Sequence, residues 1–207
     1  MSTSREATAK AEASPEWLRA MQERMALATP QDTARGLFFN SILEAVRSLG
    51  DEAALARCQA ELGDQQPVAF FNYPVTLLLR LTAVAAQELS GRYGGEEPAL
   101  KALGHKATGD FLCSPVGNAV RMVAGKDVKQ LLSSVQSIYR MTTSYGERSV
   151  GWLGPKKGRL FIRHAFMPLP YHEGVLEELL LRYGSKDVWV SGQQVAPLDA
   201  MYDFSWE

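Results

Sequence analysis

From Val75 to about Tyr93 apolar residues fall on nearly every side of a helical wheel, with Leu77, Leu78, Leu81, Val84, Ala85 and Leu89 among them. Such a pattern predicts a central helix covered by its neighbours, and Gly94-Gly95 ends it. Upstream, Phe38, Ile42, Val46 and Leu49 recur at helical spacing from about Leu37 until Gly50 interrupts them, which predicts an amphipathic helix over a core. Before it, Ser14-Pro15-Glu16 combines a hydroxyl cap, a proline at the first helical position and an early carboxylate, so a helix is expected to about Ala28. Asp51 to Leu62 reads as a short helix with Ala54, Leu55, Cys58 and Leu62 on one side, stopped by Gly63. Asp64 to Tyr73 reads as a connector, with Pro67 and Pro74 bracketing Phe70-Phe71.

The helical texture continues from Glu96 to Cys113. Ser114-Pro115 starts a further helix through Met122 and Val123, and Asp127 caps one bearing Val128, Leu131, Leu132, Val135, Ile138 and Tyr139. Around Thr142 the pattern changes to β-branched and aromatic residues alternating with polar ones. Ser149 to Leu153 and Arg159 to Phe166 are expected to pair as a hairpin across the five-residue loop Gly154 to Gly158. Pro168 and Pro170 close the second strand. His172 to Tyr183 predicts a helix stopped by Gly184, and Asp187 to Val195 and Met201 to Trp206 predict a last strand pair. The expected fold is α+β: an N-terminal helical run, then ββαββ forming one four-stranded antiparallel sheet packed on helices at one face. Residues 1–13 are expected to be a disordered tail and 14–207 a single domain.

Composition narrows the function. Lys and Arg total 22 against 23 for Asp and Glu, so no net field gathers nucleic acid or anionic lipid, and nucleic acid is not the expected partner. Apolar runs such as Leu77 to Leu79 and Leu179 to Leu181 are cut by Arg80 and Arg182, far short of a membrane span. Met1 to Ala13 lacks the apolar core of a secretory signal, so a cytoplasmic location is expected. Cys58 and Cys113 have no neighbour at metal-ligand spacing, which predicts two reduced, largely buried thiols and no metal.

Three stretches, Arg35-Gly36-Leu37-Phe38-Phe39-Asn40, Tyr139 to Gly146 and Pro170-Tyr171-His172-Glu173-Gly174, resemble an uncharacterised paralogous family of about this length found chiefly in Myxococcales. That family brings no activity with it. The order of elements also resembles the fold shared by vinyl-reductase-type ligand domains, haem nitric-oxide domains and small vesicle-tethering subunits. The resemblance implies a space between sheet and helices that holds haem, an acyl chain or another small hydrophobic molecule. Two departures weigh against metal and haem. The cysteine cluster of the vinyl-reductase type is absent from Pro170 to Trp206, and Tyr145-Gly146-Glu147-Arg148-Ser149 only echoes the Tyr-x-Ser-x-Arg signature of the haem domains.

Candidate chemistry is sparse. His105 could serve as a proximal haem ligand, the plainer alternative being an ordinary boundary histidine. His164 and His172 have no partner histidine at ligand spacing. Cys113 or Ser114 with His164 and Asp110 would make a nucleophile and base only if brought together in space, and neither a Gly-x-Ser-x-Gly elbow nor a Gly-x-Gly-x-x-Gly turn occurs. Phe38, Phe39, Phe70, Phe71 and Tyr73 either line a pocket or fill the core. Phe38, Phe71, Tyr73, His105, Cys113, Tyr139 and Trp152 are the candidate ligand-binding residues. Tyr145, Arg148, Arg163 and Tyr171 form a candidate interaction surface near the hairpin, where aromatics and Arg suit an interface. The plainer reading has the solvent face of the sheet carry Arg while Trp152 and Phe161 enter the core. The leading expectation is a non-enzymatic sensory or regulatory module for a small hydrophobic ligand, a protein partner or both. A scaffold that self-associates as a homodimer, and an enzyme with an unfamiliar site, remain as alternatives.

Overall fold

The computed structural model describes residues 14–124 and 127–207; the expected tail, 1–13, lies outside the described residues. Helix α1, Pro15–Ala26, starts as its sequence dictates: Ser14 Oγ accepts the Trp17 N–H at 3.2 Å, and Pro15 occupies a position whose N–H would be unsatisfied in any case. Strand β1, Thr33–Arg35, precedes helix α2, Gly36–Leu49, and α3, Glu52–Ala60, is capped by Asp51, which accepts the Ala54 N–H at 2.8 Å. Strand β2, Asn72–Pro74, pairs antiparallel with β1 and leads into α4, Val75–Tyr93. Helix α4 stops at Gly94, whose φ of 80° is left-handed. Helices α5, Glu96–Cys113, α6, Pro115–Ala124, and α7, Val128–Arg140, complete the helical part.

The last third forms β3, Glu147–Gly154, β4, Lys157–Arg163, α8, Leu169–Arg182, β5, Trp189–Ala196, and β6, Asp199–Ser205. These four strands form an antiparallel sheet in the order β3-β4-β6-β5. The α+β class and the four-stranded sheet are therefore present. The order of elements differs from a plain helical run followed by ββαββ, because the β1–β2 ribbon interrupts the helices. Two three-residue strands, one ending in proline, are too short to show a period of two.

Three further details correct the expectations. The hairpin loop is two residues, Pro155-Lys156, because the strands stay paired through Gly154 and Lys157 after a register shift beyond Trp152. Strand β4 ends at Arg163, since His164 adopts a φ of 52° and turns Ala165, Phe166 and Met167 into the core. Helix α8 begins at Leu169, because Pro170 fits a first turn that needs no N–H from it.

Even-numbered positions of all four strands face the helices. Val150 and Trp152 of β3, Leu160 and Ile162 of β4, Val190 of β5, and Ala200, Tyr202 and Phe204 of β6 pack there with α7 and α8. Phe161, on the odd register, is 40% exposed, so the expectation that it enters the core is corrected: a one-residue step along a strand changes its face. Helices α5 and α8 cross with backbone almost in contact. A side-chain carbon on Gly104 would lie 2.1 Å from the Tyr171 carbonyl oxygen, and one on Gly174 would lie 2.0 Å from that of Lys101. A second, larger core fills the space among α1 to α5 and takes in Phe166, Met167 and Tyr171.

Candidate functional site

Where α2, α5, α7 and α8 converge, their side chains leave a slot of about 90 Å³ lined by Phe38, Phe111, Leu131, Val135, Ile138, Tyr139 and Val175 among others, with Val120 of α6 at its edge. Of the hydroxyl-bearing residues in its lining, Ser41 donates to the Leu37 carbonyl at 2.9 Å and Thr142 to that of Tyr139 at 3.1 Å, and Thr108, Tyr139 and Tyr171 complete the set. What remains is carbon and aromatic faces, a surface suited to an apolar guest.

A second space of about 20 Å³ adjoins the slot and shares Phe38, Tyr139 and Tyr171 with it. Its remaining wall includes Arg148, Tyr145, Phe166 and His172. Arg148 holds an even position of β3, where the alternation that buries Val150 and Trp152 also turns its guanidinium inward; it is only 6% exposed. The guanidinium carbon lies 3.4 Å from the centre of the Tyr139 ring, a close cation–π contact. Its backbone N–H donates to the Gln136 side chain, but Nε and Nη1 are buried without a hydrogen-bond partner. Burial lowers its pKa from the ordinary arginine value, opposed by the phenols of Tyr139, Tyr145 and Tyr202, and no ion pair to it occurs among the described residues.

Burial, then the charges of Arg148 and Arg24, pushes the His172 imidazole down to about 3, and its Nδ1 has no partner. Burial raises the phenols of Tyr145, Tyr171 and Tyr202 above their ordinary value, and the Tyr202 hydroxyl also lacks a partner. Arg148 thus sits in the wall of the space that adjoins the slot, beside a neutral imidazole and buried phenols.

The remaining candidates lie elsewhere. Phe38 and Tyr139 line both spaces. Phe71 is exposed; Tyr73 packs its edge on Phe39, and its hydroxyl accepts the Val68 N–H at 2.9 Å. His105 faces α8, with Nε2 3.1 Å from Glu178. Cys113 is exposed, with Sγ 3.7 Å from Arg182 Nη1, so the expected interior thiol is only Cys58. Trp152 meets Phe204 and Trp206 edge-on and touches neither space.

The proposed interaction surface is not a surface. Tyr145, Arg148 and Tyr171 are buried and only Arg163 faces solvent, because Arg148 and Arg163 lie on opposite registers of the sheet. The nucleophile-and-base set is dispersed. His164 pairs with Asp32 at 3.2 Å, Lys106 with Asp110 at 2.5 Å, and the Ser114 hydroxyl donates to the Phe111 carbonyl at 2.6 Å.

The residues present do not fit haem. His105 is turned to Glu178, and the slot is lined by no imidazole, thiol or thioether. Its two phenols are a rarer iron ligand, and Tyr171 is held neutral by burial. A space of 90 Å³ is smaller than the roughly 150 Å³ cavity that takes one benzene. Among the described residues no group of three or more His, Cys, Asp or Glu could hold a metal ion, and no helix is long and apolar enough to cross a membrane.

The structure brings Arg148 and His172 into one lining, which the sequence does not predict. The signal for Arg148 was its two-residue spacing from Val150 and Trp152; for His172 it was the apolar Val175 and Leu176 one turn on. The stretches 35–40, 139–146 and 170–174 meet here, supplying Phe38, Tyr139, Tyr145, Tyr171 and His172 to the inner space.

The fold is shared with solved structures. An H-NOX protein from S. oneidensis in the Fe(II)NO ligation state superposes with a TM-score of 0.67 at 13% identity, over 84% of this chain and 99% of that one. An unliganded Fe(II) H-NOX mutant from K. algicida gives 0.63 at 13% identity, over 84% and 96% of the two chains. An oxygen-binding H-NOX domain related to soluble guanylate cyclases gives 0.64 at 9% identity, over 84% and 95%. At these identities the likeness shows a common fold. No curated protein sequence matches significantly. Residues 27–207 match the family model described as protein of unknown function (DUF2378), and the chain belongs to that family.

Proposed function

We propose that this protein is a non-enzymatic sensory or regulatory module that binds a small hydrophobic molecule between its helices and sheet and passes the occupancy on to a protein partner. The observation that carries this reading is the apolar slot where α2, α5, α7 and α8 converge, lined almost wholly by carbon and aromatic faces. As it stands the slot admits a group smaller than benzene, so a longer guest requires a shift of α6, which touches the slot only at Val120. The H-NOX proteins of like fold are named for their iron ligation states; the slot here is lined by no imidazole, thiol or thioether. Native mass spectrometry of the purified protein should show an added small mass that denaturation releases. A bare polypeptide mass, with no mass gained on adding 1-decanol, would contradict the reading.

A second reading, an adaptor that self-associates, is favoured by one observation. Phe70 and Met141, about 60% exposed, flank a shallow depression that also takes in Val120 and Leu37. Sedimentation across a hundredfold concentration range should show a dimer that Phe70→Ser weakens if this reading holds.

A further inference from the structure

Phe70 and Phe71 stand 60% and 65% exposed at adjacent positions of one turn, with Val68 and Met141 also open to water. The turn cannot fold back to hide them, because its backbone is already committed. Phe71 donates its N–H to the Val68 carbonyl at 3.0 Å, and the carbonyls of Ala69 and Phe71 accept from Leu37 and Gly36 of α2 at 3.0 and 2.9 Å. The Arg35 guanidinium donates to the carbonyls of Phe70 and Met141, and the Asn40 amide to that of Pro67 at 3.1 Å. A side-chain carbon on Gly36 would lie 2.2 Å from the Val68 carbonyl oxygen, so the turn is seated directly on backbone. Two rings held in water on so rigid a support form a preorganised contact surface.

Beside them lies a depression of about 410 Å³ lined by Leu37, Phe70, Ala119, Val120, Ile138 and Met141 among others. One benzene needs roughly 150 Å³, so a phenyl ring from outside fits. Phe71 does not line the depression, and knob and hole thus lie side by side on one face, an arrangement that a two-fold axis turns into a reciprocal contact. The charges share this symmetry. Pro67 is anchored at Asn40, one turn along α2, while Phe70 is anchored on the other side at Arg35, which also holds Met141. Asp64 precedes the Pro67 end and Arg140 adjoins the Met141 end; both are exposed, and neither has an ion pair among the described residues. A two-fold axis through the turn sets the acidic flank of one copy against the basic flank of the other. The formal net charge of -1 leaves little repulsion between copies. Val68, Phe70, Phe71 and Met141 bare on the order of 400 Å² of apolar surface, about half of the roughly 800 Å² that a stable interface buries on each side. The depression and the charged flanks extend that area.

We propose that this face binds a second copy of the chain across a two-fold axis, Phe71 of each copy seated in the depression of the other and Asp64 facing Arg140. The arrangement rests on the self-associating reading above and supplies its contact surface. Sedimentation velocity of the full chain over a hundredfold concentration range should show a reversible monomer–dimer equilibrium. Phe71→Ser, at a side chain that fills no core, should weaken the dimer at least tenfold with an unchanged thermal midpoint. Ala119→Trp, which fills the depression, should do the same, and mixing the two variants should recover association, since the ring of the second enters the open depression of the first. Asp64→Lys and Arg140→Glu should each weaken the dimer by about two- to tenfold, and the double variant should return it to within about twofold of the unaltered chain. A monomer at every concentration would remove the self-associating reading itself. A dimer indifferent to Phe71→Ser would keep that reading and overturn this surface. Loss in the single variants without recovery on mixing or in the charge-swapped double would overturn the two-fold geometry. A monomer that floats with phosphatidylglycerol vesicles, and ceases to with Phe71→Ser, would give the face to a lipid surface and overturn the second copy. Should Ala119→Trp not fold, the charge-swapped pair decides the geometry alone.

Discussion

A buried arginine with unpaired donors, as at Arg148, costs the fold stability. Replacing a buried charge by an apolar side chain of similar volume is often neutral or stabilising by about 1–4 kcal/mol. Arg148→Met is therefore expected to raise the melting temperature of the ligand-free protein, measured by scanning calorimetry. A fall of several degrees would mean that the guanidinium is structural. His172 makes a prediction of the opposite kind. Its folded pKa of about 3 lies below the unfolded value near 6.5, so the unfolded chain binds the extra proton between these values. Stability should fall as pH drops from about 6.5 towards 3, by roughly 1.4 kcal/mol per pH unit at the steepest. His172→Phe should flatten denaturation midpoints measured across that window; an unchanged slope would show that the imbalance lies elsewhere. Both residues were legible only in hindsight. Alternation from Val150 and Trp152 turns Arg148 inward, but the prior that arginine faces water outweighs a three-position pattern.

The long helices and the hairpin announce themselves because each carries caps, stops and a sustained period. Ser14-Pro15 and Gly94-Gly95 mark their ends as expected. The β1–β2 ribbon does not, since its pairing partners lie about forty residues apart and neither strand outlasts three residues. The α5–α8 crossing is equally silent in sequence: Gly104 and Gly174 read as helix-weakening residues until the facing backbone is seen. Gly104→Val, placing a carbon 2.1 Å from the Tyr171 oxygen, should cost at least ~3 kcal/mol in urea denaturation, because backbone must move and Tyr171 forms part of both spaces. Gly91→Ala, on an open face of α4 with nothing within 4 Å, should instead stabilise by about 0.5–1 kcal/mol. If the two variants behaved alike, the close crossing would be refuted.

At the scale of the molecule, the sheet and the helical part meet at a seam where aromatic rings, one arginine and one histidine gather around an apolar opening. The expectation of a small hydrophobic ligand came from fold resemblance, and composition could not supply it: a neutral chain of ordinary polarity advertises no partner. What lay beyond the sequence was which side chains converge. Of seven candidate ligand residues only Phe38 and Tyr139 face the opening, because residue type and neighbourhood along the chain do not specify which side chains meet in space. Central to this account is that the seam admits a guest. Titration calorimetry of 1-decanol tests this most directly, comparing the unaltered protein with Val135→Phe, whose added ring would occupy the slot. Saturable one-to-one binding with a negative heat-capacity change, weakened at least tenfold by the substitution, is predicted. Absence of saturable binding, or equal binding to both proteins, would contradict it.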